Sequence, residues 1–359
     1  MKKILQITSR ADYGGGPEHL KHLISGLSSS FEFFIAAPVD KPYFEIFKKY
    51  GTCIEIQHRK FSVWSLFSLL KTVNKHSIDI IHSHGKGAGI YSRILGLLTG
   101  KPVVHTFHGF HYTHLNPFYR WFYLGIEKLF AYATDVFISV SESEKNSCLN
   151  AGIVSHDSIV VVLNGVQIPT FRKRALTKKD TTLVNISRLS REKGMDVLLD
   201  IVSSLSQKYQ DFILLIIGDG PERVNLERKA RECGIVKYVS FLGFRHDVSN
   251  LLEQADIYIT ASRGEGMPLT VLEAMAASLP IVASSVVGNV DVVVHGENGF
   301  LFNINKPNEA SEYLWELIND NALYDSMSIN AYKTIADKHS LDKMCAETAS
   351  IYNKISVST

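Results

Sequence analysis

The 359-residue chain has few cysteines, no long apolar run and almost no excess of either charge, and each of these features excludes a class of protein. The four cysteines lie far apart without a C-x-x-C pair, which argues against a zinc module or a disulfide framework. The longest dense apolar run, Phe212 to Ile217, is much shorter than the roughly 18 residues of a membrane-spanning helix. The first apolar segment is only Ile4 to Ile7, so it predicts a strand and not a secretory signal. We therefore expect a cytoplasmic protein that does not cross a membrane.

The composition predicts a folded protein with two domains and one basic half. Hydrophobic residues make up 45% and charged residues 21% of the chain, which excludes disorder, collagen and a coiled coil. The net charge of +2 conceals +5 on residues 1–170 and −3 on residues 171–359, and the first half also holds 11 of the 14 histidines. A basic, histidine-rich half indicates an anionic partner, either nucleic acid, a phosphorylated substrate or a lipid surface, with a solvated face as the alternative.

Short β-type runs alternate with longer segments of helical period, which predicts βα units and parallel sheets. The pattern occurs twice, on either side of a break formed by Asn164-Gly165-Val166, Pro169 and the polar stretch 172–180. We therefore predict an α/β fold of two doubly wound Rossmann-like domains, 1–170 and 171–340, facing a ligand cleft at their strand ends. A C-terminal helix in 341–359 is expected to pack back toward the first domain. The predicted strands are Lys3 to Ile7, Phe33 to Ala37, Cys53 to Ile56, Ile78 to His82, Val103 to Phe107, Val136 to Val140, Ile159 to Leu163, Thr182 to Ser187, Phe212 to Ile217, Val239 to Leu242, Ile257 to Thr260 and Ile281 to Ala283.

Two glycine-rich turns fail the usual nucleotide-binding motifs. The segments 14–19 and 218–223 carry His19 and Arg223 where G-x-G-x-x-G requires a third glycine, and the absence of G-K-[ST] excludes a P-loop. Each remains a glycine turn before a helix, which offers free N–H groups to a diphosphate. A tight structural turn is the alternative.

The segment Ser262 to Ala276 carries the most informative pair of acids. Pro268 suits the first position of a helix that runs to Leu279, which places Glu265 in the preceding loop and Glu273 in the second turn. Glu273 is surrounded by apolar residues, so its carboxylate needs either a ligand or an internal partner in the core.

A second candidate segment runs from Ser187 to Gly194, between a strand and a helix. Arg188 and Lys193 place fixed positive charges at this turn, and such charges suit a departing diphosphate. A solvated turn is the alternative for this segment taken alone.

Taken together, these motifs resemble the retaining glycosyltransferases of family 4, which have the two-domain GT-B fold. Glu265 and Glu273 match the family's E-x7-E motif, and Ser187 to Gly194 match its [G/S]-R-L-x-x-x-K-G segment. Val286 to Asp291 depart from the G-G-x-P-E that many members show. Further matches are Gly14 to Glu18, Asp79 to His84, Thr106 to Phe110, Asn164 to Val166, Gly218 to Pro221 and Asn298 to Leu301, so the resemblance covers nearly the entire chain.

The resemblance implies a role for each matched residue. Glu273 would bind the nucleotide ribose, Glu265 the hydroxyls of the donor sugar, and Arg188 and Lys193 the diphosphate, with His108 beside the sugar. The implied catalytic residues are His108, Glu265, Arg188 and Lys193, and the remaining donor-binding residues are Gly15, Gly16, Gly218, Gly266, Met267, Pro268, Leu269 and Glu273. The reaction would displace a nucleoside diphosphate with retention and without a metal or cofactor. The general base stays open; on the front face, the leaving phosphate could take the acceptor proton.

The histidines and aromatic residues of the first half allow further expectations. His105, His108, His111 and His114 recur every third residue, but a strand and Gly109 separate them, so we expect no metal site there. Segment 107–132 holds ten aromatic residues, and a helix from Pro117 onward fits either a membrane interface or the core. Trp64, Phe67 and Leu70, between two basic patches, form a second candidate surface.

The first functional hypothesis is a glycosyltransferase, peripheral on an anionic membrane, that moves a sugar from a UDP-sugar to a lipid-linked saccharide. Ile81 to Arg93 and Lys101 to Tyr112 look like segments of bacterial capsule and O-antigen enzymes, which suggests an undecaprenyl diphosphate-linked acceptor. The alternatives are an isomerase of the UDP-N-acetylglucosamine 2-epimerase type and a non-enzymatic nucleotide-sugar binding protein. No RNA-reading aromatic motif is present, so nucleic acid is not expected as a partner.

Overall fold

The computed structural model describes residues 1–109, 116–172, 176 and 180–355, and it divides the chain into two compact units. Unit 1 contains Met1–Gly165 together with the chain from Leu341 onward, and unit 2 contains Val166–Ser340. The Val166 N–H donates to the His339 carbonyl and the Tyr332 hydroxyl donates to the Pro169 carbonyl. These bonds tie residues 166–169 to unit 2, ahead of the boundary predicted at residue 170.

Unit 1 is built on a parallel sheet of seven strands in the order β3-β2-β1-β4-β5-β6-β7. Each strand overlaps a predicted one, because β-branched and aromatic runs between turn residues mark buried strands reliably. The strands are β1 (Lys2–Thr8), β2 (Phe31–Ala37), β3 (Gly51–Glu55), β4 (Ile80–His84), β5 (Val103–Thr106), β6 (Val136–Ser139) and β7 (Ile159–Val161).

Helices cover this sheet, and one of them comes from the end of the chain. The helices are α1 (Gly15–Leu27), α2 (Tyr43–Phe47), α3 (Val63–His76), α4 (Gly85–Thr99), α5 (Pro117–Ala131), α6 (Glu142–Asn150) and α13 (Leu341–Lys354). Helix α1 buries Leu20, Leu23 and Ile24 at helical spacing, in the same apolar cluster as Met344 and Tyr352 of α13. The C-terminal helix therefore completes the core of unit 1.

Unit 2 has a parallel sheet of six strands in the order β10-β9-β8-β11-β12-β13. The strands are β8 (Thr181–Ile186), β9 (Phe212–Ile217), β10 (Val239–Gly243), β11 (Ile257–Thr260), β12 (Ile281–Ser284) and β13 (Gly299–Phe302). The helices are α7 (Met195–Ser206), α8 (Arg223–Glu232), α9 (Val248–Gln254), α10 (Leu269–Ala276), α11 (Pro307–Asn319) and α12 (Asn321–Lys338).

Strand β13 is absent from the sequence-based prediction. It has only four residues and begins with Gly299, which is unfavourable in a strand interior. A Cβ on Gly299 would lie 2.4 Å from the Ile281 carbonyl oxygen, so the glycine allows β13 to approach β12. Gly299 therefore weakens the strand pattern in the sequence, and it is also the residue that allows β13 to pack at the edge of the sheet.

In both sheets the strand order reverses beside the first strand of the unit, between β1 and β4 and between β8 and β11. Ligands of doubly wound sheets bind outside the carboxyl ends of the strands at this reversal. The predicted fold class of two doubly wound parallel α/β sheets is confirmed. Among the helices of the described ranges, none combines the length and the apolar character needed to span a bilayer.

Candidate active site

The two predicted acids lie at the strand-order reversal of unit 2. Glu265 is in the loop between β11 and α10, and Glu273 is half-buried on α10 itself. Helix α10 begins at Leu269, so Pro268 is the extended residue before the helix and not its first residue. The predicted end at Leu279 is also too late, because the chain leaves the helix after Ala276 and Ser278 has a left-handed φ of 62°.

Lys193 pairs directly with Glu265: its Nζ donates to Glu265 Oε1 at 2.6 Å. The backbone brings the two motifs together, because the Arg263 N–H donates to the Glu192 carbonyl at 2.8 Å. Gly194 has a φ of 61°, and a Cβ there would lie 1.8 Å from the Ala261 carbonyl oxygen. Only glycine lets the turn that carries Lys193 pack against the end of β11.

A tyrosine that the sequence analysis missed contacts the helix that carries Glu273. Tyr258 of β11 is buried, and its hydroxyl donates to Thr270 Oγ1 of α10 at 2.9 Å. Burial raises the pKa of the Tyr258 phenol, and the negative charges of Glu265 and Glu273 add to this effect. The phenol therefore stays protonated and donates to the helix that carries Glu273. An aromatic residue inside a strand resembles any core residue, so its sequence context gives no signal of this role.

Most of the other predicted donor-binding residues of unit 2 can offer a ligand only their main-chain groups. The side chains of Met267, Pro268 and Leu269 are buried, so these residues can reach a ligand only through main-chain groups. Gly218 has a φ of 130°, and a Cβ there would lie 2.0 Å from the Ser187 carbonyl oxygen, so the fold requires this glycine. Arg188 is exposed, and no carboxylate of the described residues forms an ion pair with it.

The loop that departs from the family pattern packs against Glu265. Gly288 has a φ of 88°, and a Cβ on it would lie 2.7 Å from the Gly266 carbonyl oxygen and 2.8 Å from the Glu265 Cβ. The Gly288 N–H donates to Asp291 Oδ2, and the buried Asn289 amide donates to the Ser284 carbonyl. The loop is therefore held by its own side chains, with its glycine against the acid.

In unit 1, the glycine loop leaves open space at the start of α1. Gly15 and Gly16 are the first two residues of this helix, and a Cβ on either would meet no heavy atom within 4 Å. Both have ordinary negative φ, so neither steric crowding nor backbone conformation requires glycine there. The missing side chains leave room for a ligand at this helix N-terminus.

Three histidines converge at the strand-order reversal of unit 1. His19 of α1, His84 at the end of β4 and His108 after β5 each place a ring nitrogen within 4.8 Å of the other two. His108 has a left-handed φ of 57°, and Glu144 holds the turn by accepting from the Gly109 N–H at 2.5 Å. A non-glycine residue with this conformation is uncommon and is concentrated at functional sites. Sequence analysis singled out only His108.

These imidazoles are held neutral. Burial lowers the pKa of His82 to about 3 and that of His108 to about 4. Burial, together with the neighbouring imidazoles, also lowers the pKa of His19 and of His84 well below 6.5. Neutral imidazoles can exchange hydrogen bonds with sugar hydroxyls, and imidazole is also a common ligand of transition metals.

The histidine series that the sequence suggested does not gather at this point. His105 bonds to Ser83 Oγ at 2.9 Å, and His111 and His114 lie outside the described residues. The expectation that this series binds no metal stays a prediction.

Helix α5 presents an exposed aromatic face, defined by Phe118, Tyr119, Trp121 and Phe122. Trp121 is 73% exposed, so the alternative that this segment fills the core is wrong for these four residues. Trp64 and Phe67 of α3 are also exposed, whereas Leu70 is packed against the core. Unit 1 therefore displays large apolar side chains that its own packing does not use.

Two family models match this chain and together run from residue 13 to residue 334. Glycosyltransferase Family 4 matches residues 13–168, and Glycosyl transferases group 1 matches residues 167–334. The chain therefore belongs to the group 1 glycosyltransferases of family 4, as its motifs predict.

Known relatives agree with this assignment. A UDP-Gal:alpha-D-GlcNAc-diphosphoundecaprenol alpha-1,3-galactosyltransferase of Escherichia coli is 28% identical over 308 residues, which are 80% of this chain and 78% of the relative. The capsular polysaccharide biosynthesis glycosyltransferase CapM of Staphylococcus aureus is 23% identical over 310 residues, 80% of each chain. The crystal structure of Anabaena Alr3699/HepE in complex with UDP and glucose matches with a TM-score of 0.86 at 19% identity, over 99% of this chain and 100% of that one. This structural likeness shows the GT-B fold.

Proposed function

We propose that this protein transfers a sugar, with retention, from a UDP-sugar to a lipid-linked saccharide during synthesis of a bacterial surface polysaccharide. The observation that carries the proposal is at the strand-order reversal of unit 2, where Lys193 pairs with Glu265 in the loop before α10 and α10 carries Glu273. The names of the relatives support the polymer, and the UDP and glucose bound to Anabaena HepE support the donor.

In the proposed reaction, an acceptor hydroxyl attacks the anomeric carbon of the donor sugar. A bond forms from the hydroxyl oxygen to this carbon, the bond from the carbon to the diphosphate oxygen breaks, and the leaving phosphate takes the hydroxyl proton. Arg188 and Lys193 stabilise the charge that develops on the diphosphate. Glu273 binds the ribose and Glu265 the sugar hydroxyls, and Lys193 orients Glu265 through their ion pair.

Catalysis is proposed to need no metal, since the paired cations can neutralise the diphosphate. Transfer should then continue in EDTA at the untreated rate. A loss of activity that only a divalent cation restores would contradict this part of the proposal, and the imidazoles of His19, His84 and His108 would then be the residues to test as ligands.

The acceptor is proposed to be a saccharide on undecaprenyl diphosphate, which unit 1 reaches at an anionic membrane surface. Lys71 and Lys75 on α3 and Arg120 and Lys128 on α5 are exposed. Such charges attract anionic lipid by about 1 kcal/mol each, and the aromatic face of α5 adds an apolar contribution that salt does not weaken.

Vesicle flotation tests the membrane contact. Moderate salt should release the wild-type protein from anionic vesicles only partly, whereas release of the Trp121→Ser/Phe122→Ser variant should be complete. The matched control is Val224→Ser/Phe244→Ser, which removes exposed apolar side chains of unit 2 and should float as the wild type does. Failure of the wild type to bind at any lipid composition would remove the membrane from the proposal.

The reaction itself is tested with a panel of radiolabelled UDP- and GDP-sugars and extracted lipid-linked acceptors. We expect label from one UDP-sugar to appear in the lipid fraction. Hydrolysis without transfer to lipid would favour a soluble acceptor. Conversion of the UDP-sugar into an epimer, without transfer, would reject the glycosyltransferase proposal in favour of the epimerase alternative.

A further inference from the structure

A continuous chain of hydrogen bonds, buried except at its partly exposed His108 end, links the C-terminal helix to His108. Tyr352 of α13 is fully buried, and its hydroxyl lies 2.5 Å from His82 Nδ1 and 2.8 Å from Gln6 Nε2. The other end of the Gln6 amide contacts His84: His84 Nε2 lies 2.8 Å from Gln6 Oε1. The chain ends at His108, whose Nε2 lies 3.0 Å from His84 Nδ1. The chain thus runs through three strand ends of unit 1 and one helix from the far end of the sequence.

The proton positions along this chain follow from the chemistry of each group. Gln6 Oε1 can only accept, so we assign the ring proton of His84 to Nε2. A neutral imidazole has one ring proton, which leaves His84 Nδ1 as an acceptor and requires a proton on His108 Nε2. His108 Nδ1 then keeps its lone pair, and no hydrogen bond from the described residues reaches it.

The proton positions on His84 and His108 depend on which end of the Gln6 amide faces His84. The hydrogen bond to Tyr352 fixes this orientation of the amide. The phenol is the stronger donor and the imidazole nitrogen the stronger acceptor, so the short contact is formed by the Tyr352 hydroxyl donating to His82 Nδ1. The Tyr352 oxygen is then left to accept, and it accepts from the Gln6 amide nitrogen. His82 Nε2 carries its ring proton and donates to Thr106 Oγ1 at 2.8 Å.

We propose that Tyr352 is a positioning residue that acts through Gln6 and His84 to keep His108 protonated at Nε2 and unprotonated at Nδ1. The inference rests on the proposed function, and on the position beside the donor sugar that the family resemblance implies for His108. In this tautomer, His108 Nδ1 accepts a hydrogen bond from a sugar hydroxyl. In the opposite tautomer, Nδ1 would carry a proton and could only donate. The last helix of the chain therefore sets what the catalytic histidine can recognise.

The direct test is 15N NMR of the imidazole rings, because the chemical shift of a ring nitrogen shows whether it is protonated or unprotonated. In the wild type, His84 and His108 should both be protonated at Nε2 and unprotonated at Nδ1. Their signals are assigned by their loss in His84→Asn and His108→Asn. A wild-type spectrum with both rings protonated at Nδ1 would mean the reversed amide orientation and would overturn the proposal.

The functional test is Tyr352→Phe, which keeps the ring packing and removes the hydroxyl. We expect the Nε2 preference of His108 to be lost and kcat to fall by at least about tenfold, with little change in the KM for the donor. The matched control is Tyr91→Phe, another buried tyrosine of unit 1, whose hydroxyl bonds, among the described residues, only to backbone groups of Ser62 and Lys60. This control should keep the wild-type tautomer and kcat. Unchanged tautomer or unchanged kcat in Tyr352→Phe would contradict the proposal.

Rescue separates positioning from a loss of packing. Both carboxylate oxygens of Gln6→Glu can only accept, so this variant should hold the His84 proton at Nε2 without help from Tyr352. The Gln6→Glu/Tyr352→Phe variant should therefore regain the tautomer and most of kcat above pH 8. A regained tautomer with no gain in kcat would show that the tautomer does not set the rate. If the wild type transfers no sugar at all, the proposed function fails, while the NMR result still decides the role of Tyr352.

Discussion

The ion pair between Lys193 and Glu265 joins two residues that both have roles in the proposed donor site. Their side chains are 29% and 12% exposed, so the pair is partly shielded from water, and the charges interact more strongly than at an open surface. A bound diphosphate would add its own negative charge beside Lys193. With the donor bound, Lys193 would therefore have two negatively charged partners, Glu265 of the protein and the diphosphate of the ligand.

Replacing Lys193 by Ala should remove most transfer activity and leave the fold intact. The lost charge-assisted contacts cost about 2 to 4 kcal/mol in transition-state stabilisation, measured as kcat/KM. Glu273→Ala should have a similar effect through the ribose. The control is Lys208→Ala, which breaks an exposed ion pair with Glu312 in the same unit and should change neither activity nor melting temperature. Full activity of Lys193→Ala at a normal melting temperature would end the donor-site assignment.

A second prediction concerns Gly16, whose missing side chain has no structural cause. Gly16→Ala should stabilise the protein by about 0.5 to 1 kcal/mol, because alanine favours the helix and meets no neighbour. The same methyl group should obstruct the ligand and raise the KM for the donor. Gly125→Ala in α5 also adds a methyl group to open space and should stabilise without kinetic change. Normal kinetics for Gly16→Ala would show that the glycine loop does not contact substrate.

Helix α5 is attached to unit 1 by a buried ion pair, although its aromatic face is exposed. Arg93 of α4 is fully buried, and its Nη2 lies 3.2 Å from Glu127 Oε2 of α5. The Arg93 Nε donates to Thr134 Oγ1 just after the helix. A helix whose apolar residues face outward needs such an anchor, because little hydrophobic burial holds it in place.

Glu127→Gln should destabilise unit 1 by about 3 to 5 kcal/mol, because it leaves the buried guanidinium without its counter-charge. Replacing both partners, as in Arg93→Met/Glu127→Leu, should restore most of the loss, since a packed apolar pair needs no compensation. Urea unfolding and hydrogen exchange of the α5 amides measure both effects. Equal stability of Glu127→Gln and the wild type would show that the ion pair does not anchor the helix.

Unit 1 as a folded body carries a cluster of buried, neutral imidazoles that unit 2 does not share in its described residues. Burial is the main cause that lowers the pKa values of His19, His82, His84, His105 and His108, and the charge of Arg93 adds to the effect at His105. Unit 2 has three histidines among its described residues: His246 and His295 are exposed, and only His339 is buried. Acid should therefore affect the two units differently.

The free energy of unfolding of unit 1 should fall as the pH drops from about 6.5 to about 4. The unfolded chain protonates these imidazoles near pH 6.5, while the folded unit keeps them neutral to lower pH, so the unfolded state binds more protons throughout this window. Hydrogen exchange, corrected for the intrinsic rate at each pH, should show protection lost from β1–β7 before β8–β13. Loss of protection at the same pH in both sheets would contradict the prediction.

Much of this molecule can be read from local sequence. Twelve of the strands were predicted, because buried parallel strands are short β-type runs bounded by turn residues. The E-x7-E acids and the lysine turn were found because their spacing is linear in the chain, and this spacing also indicated the family. Strand β13 was missed, because its glycine serves a contact with Ile281 that no neighbouring residue reveals.

The partners of the site residues were decided only by the tertiary structure. The hydrogen bond from Gln6 to Tyr352 joins residues 346 positions apart, and the one from Lys193 to Glu265 joins residues 72 apart. Tyr258, His19 and Tyr352 look like ordinary core residues in their segments, so nothing local marks them. Periodicity and turn chemistry act between near neighbours and therefore determine elements, whereas ion pairs and proton positions depend on distances that exist only after the elements have packed.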